Sequence, residues 1–326
     1  QDFLAQEEHS SSTALHLLAQ VKKVRGVVTF CRALDNLLSN GKGVACGEVT
    51  EICGLPGIGK TQIATQLTVD AQIPKAFGGV AGEAVFIDTE GSFVVERLRQ
   101  MAQSAILELE RKTASSKSAE VLERRRNALE DFTLDNILRR VHYFRVYSHV
   151  EQIGLLNCLD EFLTQHNKVK IVVIDSISCH FRQGFDDMAL RSRLLASMAQ
   201  QLHKYANKYN IAVLCTNQVT TKISKGIGAT FVPALGMGWE HASTNRVILQ
   251  WNRDGEVPSR VARLIKSATQ EPGRAPFSVV KAGVRDVDET NTADSFGSLS
   301  GSIGGDSYES PSPAAKKKLR RSNSDA

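Results

Sequence analysis

The sequence lacks the features of a membrane or secreted protein. None of its apolar runs approaches the roughly 18 residues that a membrane-spanning helix needs, and no signal-peptide pattern opens the chain. We therefore expect no membrane partner. The first residue is Gln1 rather than methionine, and from this we expect that a further N-terminal piece precedes it.

Closely spaced cysteines are also missing. The six cysteines lie far apart with no C-x-x-C pair, a spacing that is typical of neither a zinc site nor a disulfide framework. Four of them lie in or beside apolar runs. We therefore predict reduced, partly buried thiols in an intracellular protein.

A strong charge of one sign is absent as well. The formal net charge is +5, of which residues 301–326 supply +2 through five basic and three acidic side chains. The remaining +3 is spread over 300 residues. This weak basic bias permits a nucleic-acid partner without requiring one.

The order of apolar runs predicts the fold. Short buried strands are predicted at 49–53, 84–88, 142–147, 170–175 and 211–216, with amphipathic helices in "TQIATQLTVDAQ", "VVERLRQMAQSAILELE", "EQIGLLNCLDEFLTQH" and "LRSRLLASMAQQLHKYANKY". Three further strands, "NRVILQW", "SRVARLIKS" and "FSVVKAG", follow without helices between them. We predict an α/β fold with a mostly parallel central sheet, helices on both faces and antiparallel strands at one edge.

Composition divides the chain into three parts. We expect a short N-terminal segment over 1–20, a core over 21–286 and a disordered tail over 287–326, which is rich in Ser, Gly, Asp and Pro. Within the core, 111–120 is predicted to be a flexible surface excursion. The tail's "KKKLRR" reads either as a nuclear import signal or as a solubilising run.

The stretch "GLPGIGKT" at 54–61 matches the phosphate-binding pattern G-x-x-x-x-G-K-[ST] between a predicted strand and a predicted helix. Its glycines let backbone N–H groups surround an anion, while the lysine reaches the β/γ-phosphates and the threonine ligates Mg²⁺. The alternative is a glycine-rich strand-to-helix turn. The predicted nucleotide-binding residues are Gly54, Leu55, Pro56, Gly57, Ile58, Gly59, Lys60, Thr61 and Gln62.

Three polar residues follow other predicted strands. Asp175 ends "IVVID", where a carboxylate can hold a metal-bound water, although such an Asp alone often only marks a strand's exit. Glu90 in "FIDTEG" can act as a general base on the attacking water, or "DTEG" can be a turn or capping box. Gln218 in "CTNQ" can sense a γ-phosphate, or be a turn glutamine. Together with Lys60 these three are the predicted catalytic residues.

Two segments after these strand ends are candidate DNA-facing loops. The first, about 181–188, contains Arg182 and Gln183, and the second, about 219–235, contains Lys222 and Lys225. Their basic side chains can hold a single strand through its phosphates. For the arginines a solvated helix face is an equal alternative.

The motifs "GLPGIGKTQ", "VFIDTEGSF", "IVVIDSI", "TNQVTTK" and "HASTNRVIL" together resemble the ATPase core of the RecA-type recombinases in their eukaryotic form, and most closely a paralogue branch. The resemblance covers about residues 12–286. The family's N-terminal helical domain has no counterpart in it. A "FCRA" segment at 30–33 fits a family docking pattern, but we interpret it as coincidental.

The resemblance implies ATP and Mg²⁺ as cofactors, with Thr61 and, through water, Asp175 as the metal-binding residues. It implies that ATP lies between protomers and that His241 lies near such an interface, whereas the sequence alone favours a structural histidine. The implied partners are single-stranded or branched DNA, sister paralogues and the main strand-exchange recombinase.

The implied function is that of a nuclear, slowly ATP-hydrolysing mediator in homologous-recombination repair of double-strand breaks and crosslinks. Two alternatives stay open at this point. One is a structural adaptor that binds ATP with little turnover, and the other is a RecA-fold motor such as a hexameric helicase or a clock-type kinase.

Overall fold

The computed structural model describes residues 13–15, 25–182, 185–224, 228–252 and 259–287. The α-helices are α1 (Arg32–Ser39), α2 (Lys60–Asp70), α3 (Val95–Ala114), α4 (Ala119–Glu130), α5 (Leu134–Arg139), α6 (His149–Gln165), α7 (Met188–Tyr209) and α8 (Gly236–Glu240), and two short 3-10 helices lie at Lys75–Phe77 and Cys179–Phe181. The described strands are β1 (Gly26–Val27), β2 (Val44–Ala45), β3 (Val49–Gly54), β4 (Glu83–Asp88), β5 (Val141–Arg145), β6 (Val169–Asp175), β7 (Ala212–Asn217), β8 (Val219–Ser224), β9 (Gly228–Pro233), β10 (Asn245–Asn252), β11 (Ser259–Lys266), β12 (Gly273–Val280) and β13 (Gly283–Arg285).

A nine-stranded sheet organises these elements. Its strand order is β13-β12-β11-β10-β3-β7-β6-β4-β5. The strands from β10 to β5 are parallel to their neighbours, whereas β11, β12 and β13 continue the sheet as antiparallel hairpins. This confirms the predicted α/β class with antiparallel strands at one edge.

Helices cover both faces of the parallel strands. Along β4, Phe86 packs into the core under α1 and α2, while Val85 and Ile87 face the core under α6 and α7. Because side chains alternate along a strand, an unbroken apolar run such as "AVFI" requires burial on both faces. A third cluster lies between α2, α3 and α5.

Two sequence expectations are wrong. The predicted excursion at 111–120 is mostly helical, since α3 continues to Ala114 and α4 begins at Ala119, with the Ser118 hydroxyl accepting a hydrogen bond from the N–H of Val121. The expected loop at 219–235 is largely a hairpin in which β8 pairs with β9 from Val219↔Pro233 to Ser224↔Gly228. β-branched alternation in "VTTKIS" favours strand over loop there.

Other expectations fall partly outside the described residues. The tail's "KKKLRR", Gln183 and Lys225 lie outside the described residues, and the predicted domain boundaries stay predictions. All six cysteines are free thiols, four of them buried, as predicted. Within the described helices, no segment has both the length and the apolarity to span a bilayer.

Candidate functional site at the carboxyl edge

Four neighbouring strands bring the predicted site residues to one edge of the sheet. In the order β3-β7-β6-β4, these strands end at Gly54, Asn217, Asp175 and Asp88. Parallel strands all end on the same side, and open α/β sheets bind ligands there. We call the last residues of these four strands, together with the residues that follow them, the carboxyl edge.

The turn after β3 needs its glycines. Gly57 and Gly59 have φ values of +76° and +114°, which L side chains rarely adopt, and a Cβ on Gly54 would lie 2.8 Å from the Ile58 side chain. Ile58 is itself fully buried in the core, so it contributes backbone and not side chain to the turn's outer surface. The loop therefore presents N–H groups at the start of α2, where the first turn of a helix leaves them without intrahelical partners.

Lys60 closes over this turn. Its Nζ donates to the carbonyl oxygens of Gly54 at 2.9 Å and Leu55 at 3.1 Å. Burial lowers the pKa of Lys60, while the nearby negative charges of Glu90 and Asp175 oppose that effect. A cation partly removed from water and facing two carboxylates is suited to neutralise an anionic ligand at this place.

Asp175 at the end of β6 is 1% exposed and is surrounded by hydroxyls. Thr216 donates to its Oδ1, Ser92 donates to Oδ2 at 3.3 Å, and Thr61 also hydrogen-bonds the carboxylate. Burial raises the pKa of Asp175, hydrogen bonds from Thr216 and Thr61 lower it, and the charge of Glu90 raises it. Thr61 and Asp175 thus lie together, as a Thr hydroxyl and a carboxylate must to share a hydrated Mg²⁺.

Asp88, paired with Asp175 across β4 and β6, organises the turn that carries Glu90. Its carboxylate accepts hydrogen bonds from the backbone N–H groups of Glu90, Gly91, Ser92 and Phe93 at 2.7–3.2 Å. The Tyr143 hydroxyl donates to it as well, and Arg145 lies 3.6 Å away. The turn is therefore held by side-chain-to-backbone bonds, as in the turn interpretation of "DTEG".

Glu90 lies in a hydrogen-bonded chain that reaches the first loop. Its Oε1 accepts from the Ser176 hydroxyl at 2.6 Å and from Gln218 Nε2 at 2.7 Å. On its other side, the Gln218 side-chain oxygen accepts from Arg182. One amide thus touches both the candidate general base and a candidate DNA-facing arginine.

A buried network supports the segment around Gln218. Glu51 on β3 is fully buried and pairs with Arg246 at 2.6 Å, while Asn217 Nδ2 and Trp239 Nε1 donate to it at 2.6 and 3.0 Å. Asn217 also donates to the Ala234 carbonyl at 3.0 Å, which ties β7 to the end of the β8–β9 hairpin. A buried charge is tolerated only when it is paired and hydrogen-bonded, as Glu51 is here.

The remaining predicted residues lie less centrally. Gln62 accepts a hydrogen bond from Arg97 at 2.6 Å, and Arg97 in turn donates to the carbonyls of Val280 and Lys281. Lys222 is exposed on β8. His241 caps α8 and is exposed, and no hydrogen bond to its ring is found among the described residues, so it is not a buried structural histidine.

Sequence reasoning did not identify several residues of the carboxyl edge. Thr216, Ser92 and Ser176 all donate hydroxyls to the two central carboxylates. A polar residue that interrupts an apolar strand at its end, as Thr216 does after "IAVLC", is the available signal. The carboxyl edge thus combines an anion-binding glycine turn, the cation of Lys60, the pair Thr61 and Asp175, and the carboxylate of Glu90. These are the groups that hydrolysis of a nucleoside triphosphate requires.

Comparison with known proteins gives concordant similarities. A model of the Rad51 family matches residues 20–122 and 123–287. The chain is 47% identical over 275 residues to "DNA repair protein RAD51 homolog 3" of Cricetulus griseus, covering 84% of this chain and 72% of that protein. It is 40% identical over 280 residues to the protein of the same name from Dictyostelium discoideum, covering 84% and 69%. These findings confirm the resemblance indicated by the motifs, including its paralogue branch.

Proposed function

The chain belongs to the Rad51 family, and from that membership we propose that it acts in DNA repair by homologous recombination as an ATP-dependent mediator. It binds single-stranded or branched DNA and works in the nucleus beside sister paralogues and the main strand-exchange recombinase. The names of its relatives support the repair role. The observation that carries the ATP-dependent part is the meeting of Lys60, Asp175 and Glu90 at the carboxyl edge.

The residues present fit ATP and Mg²⁺. Gly57 and Gly59 place no side chain at their own positions in the turn, and a Cβ on Gly57 would meet nothing within 4 Å. Lys60 and the first N–H groups of α2 would hold the phosphates, and Thr61 with Asp175 would hold the metal. When bound, Mg²⁺ would neutralise charge on the phosphate oxygens.

The chain's own groups divide the remaining work. The Glu90 Oε1 accepts two hydrogen bonds that fix its position, which leaves its other carboxylate oxygen to take a proton from water. Gln218 hydrogen-bonds Glu90 on one side and Arg182 on the other. DNA phosphates that engage Arg182 would change the hydrogen bonding of Gln218, so DNA binding and ATP binding are coupled.

The nucleotide part of the proposal is tested by titrating the chain with a fluorescent ATP analogue in Mg²⁺. Lys60→Ala is expected to weaken binding about 10- to 100-fold, since hydrogen bonds to charged groups contribute roughly 1.5–3 kcal/mol. Lys75→Ala, at an exposed lysine of a short helical turn, is the matched control. Equal affinities for all three proteins would remove Lys60 from the site, and no binding by the wild type would remove ATP from the proposal.

Turnover separates a mediator that uses hydrolysis from a structural adaptor. Glu90→Gln keeps the size of the side chain but cannot accept a proton, so we expect ATP affinity to be kept while hydrolysis falls about 10²- to 10⁴-fold. Cells carrying this variant should repair poorly. Repair equal to wild type would favour the adaptor, in which ATP only stabilises subunit contacts.

The coupling is tested by measuring single-stranded DNA affinity with and without saturating ATP, for the chain assembled with a sister paralogue. ATP is expected to raise DNA affinity, and DNA to raise ATP affinity by the same factor, because coupling between two binding sites is reciprocal. The same DNA affinity in both conditions would contradict it.

A further inference from the structure

We propose that Glu83, His142 and His166, which we call the histidine corner, form a binding site for a divalent transition-metal ion, with Zn²⁺ as the ion that suits them best. The corner lies at the amino ends of β4 and β5. It is therefore at the opposite end of the sheet from the carboxyl edge, roughly 17 Å away for the five residue steps from Glu83 to Asp88. The histidine corner shares no residue with the carboxyl edge.

The topology brings the three side chains to one face. His142 on β5 is in register with Val85 on β4, and Glu83 lies two residues before Val85, so all three share a face. Val85 belongs to the core under α6. His166 directly follows the last residue of α6, so this helix delivers the third side chain to the same face.

The donor atoms are close together. His142 Nε2 lies 2.8 Å from Glu83 Oε2, and the donor atoms of the three side chains all lie within 4.8 Å of one another. A tetrahedral zinc ion with bonds of about 2.0–2.1 Å separates its ligand atoms by about 3.3 Å. The donor atoms that lie farthest apart, up to 4.8 Å, therefore need to approach each other by about 1.5 Å, which rotation of the side chains can provide.

Neighbouring groups restrict the rings. The His166 ring stacks on Phe162 with centroids 4.2 Å apart, and the His142 ring meets the edge of Phe162 at 5.2 Å. The backbone of His166 is held from both sides, because its N–H donates to Phe162 and its carbonyl accepts from Val169. The Glu83 and His142 side chains are 18% and 21% exposed. The corner is thus partly shielded and ordered before any ion arrives.

The donor set selects the class of ion. Two imidazoles and one carboxylate are typical of zinc sites with three protein ligands and a water, whereas Mg²⁺ and Ca²⁺ prefer oxygen ligands throughout. An ion here would link β5, the outermost strand of the sheet, to the end of α6. The expected consequence is stabilisation of this edge.

The test is titration of the full chain with Co²⁺, followed by visible absorption, and with Zn²⁺, followed by thermal melting. We expect one Co²⁺ per chain with the absorption of a tetrahedral site and no thiolate charge-transfer band, and a higher melting temperature in Zn²⁺. Glu83→Gln, His142→Ala and His166→Ala should each weaken binding about tenfold or more, because even residues behind the ligands usually contribute that much.

Matched variants keep the result interpretable. His149→Ala removes the histidine at the other end of α6 and should bind Co²⁺ as wild type does. Melting of every variant without metal identifies one that fails to fold, and Glu83→Gln, which preserves shape, then carries the test. The proposal is overturned by the absence of binding, by binding that survives all three substitutions, or by a thiolate band, which would assign the ion to cysteines.

Discussion

Asp88 and Asp175 are the same residue type at the same position of two neighbouring parallel strands, and they face each other in the register of the sheet. Asp88 receives four backbone N–H groups and the Tyr143 hydroxyl, and it has Arg145 nearby. Among the described residues, the side-chain donors to Asp175 are the hydroxyls of Thr216, Ser92 and Thr61. The two aspartates therefore differ in their hydrogen-bond partners, although their positions in the strands are equivalent.

The number of lone-pair sites that are still free on each carboxylate decides whether Asp88 or Asp175 can bind a ligand. A carboxylate has about four lone-pair sites. Five donors occupy those of Asp88, so this side chain holds the turn and has little capacity left for a ligand. The three hydroxyls on Asp175 leave it room for a water on a metal ion, and its burial without a full ion pair makes it costly to keep charged until a cation arrives. One carboxylate thus stabilises the fold, and its neighbour is suited to bind.

The largest expected effect tests the proposed metal-binding role of Asp175. Asp175→Ala should reduce ATP hydrolysis about a thousandfold, equivalent to roughly 4 kcal/mol, because metal binding contributes several kcal/mol to transition-state stabilisation. The stability of the nucleotide-free protein should not fall. The measurement is phosphate release with saturating DNA, alongside Asp135→Ala, an exposed aspartate on α5, as control. Hydrolysis at the wild-type rate would contradict the role of Asp175.

The second effect tests whether Asp88 stabilises the fold. Asp88→Ala removes the acceptor of four part-buried hydrogen bonds from backbone N–H groups, so we expect the free energy of unfolding to fall by about 3 kcal/mol. Urea denaturation with the same Asp135→Ala control measures it. If Asp88→Ala were as stable as wild type and only inactive, the contrast between the two aspartates would be wrong.

The pH dependence of protein stability tests the ionisation of Asp175. Burial raises the pKa of Asp175 in the folded protein above its unfolded value of about 3.9. The folded state then binds more protons than the unfolded state between this pH and the folded pKa, so the wild-type protein loses stability as pH rises through that interval.

Asp175→Asn cannot ionise and should escape that loss. Without nucleotide, its melting temperature relative to wild type should therefore increase by a few degrees between pH 4 and pH 8. Thermal melts of both proteins at matched ionic strength provide the comparison. A difference that stays constant across this range would exclude Asp175 as the titrating group.

The smallest effect tests whether the partners of Asp88 are redundant. Tyr143→Phe removes one of five hydrogen bonds to Asp88 and should cost about 0.5–1 kcal/mol of unfolding free energy. Tyr147→Phe, at a residue that is 70% exposed, is the matched control. A loss as large as that of Asp88→Ala would mean that the Tyr143 hydroxyl, and not the backbone, determines the turn.

Some of the molecule was predictable from local pattern. The strands ending at Asp88 and Asp175 were predicted because an apolar run of strand length needs burial on both faces. The glycine turn before Lys60 was predicted from its G-x-x-x-x-G-K-[ST] pattern, and the positive φ values of Gly57 and Gly59 explain why glycine is needed there. The hairpin of β8 and β9 and the helical character of 111–120 were missed. Glycines in 219–235 and serines and charged residues in 111–120 favour a loop by composition. The β-branched alternation of the first segment and the helical spacing around the second determine the structure instead.

Local sequence patterns did not predict hydrogen bonds between residues that are distant in the chain. Helix α1 follows Cys31, which provides no side-chain cap, and its first N–H groups at Arg32 and Ala33 donate instead to Asp286 at 3.1 and 2.9 Å. No pattern near residue 31 indicates this carboxylate, about 250 residues away. The bonds of Thr216 to Asp175 and of Gln218 to Glu90 have the same long-range origin.

The order of strands and helices, the glycine turn and the types of reactive side chain follow from the sequence alone, because they depend on periodicity and backbone sterics over a few residues. Three features follow only from the folded sheet. They are the different hydrogen-bond partners of Asp88 and Asp175, the hydrogen-bonded chain from Arg182 to Glu90, and the convergence of Glu83, His142 and His166. Hydrogen bonding and burial act between side chains that are adjacent in space, and parallel strands bring together residues that are distant in the chain.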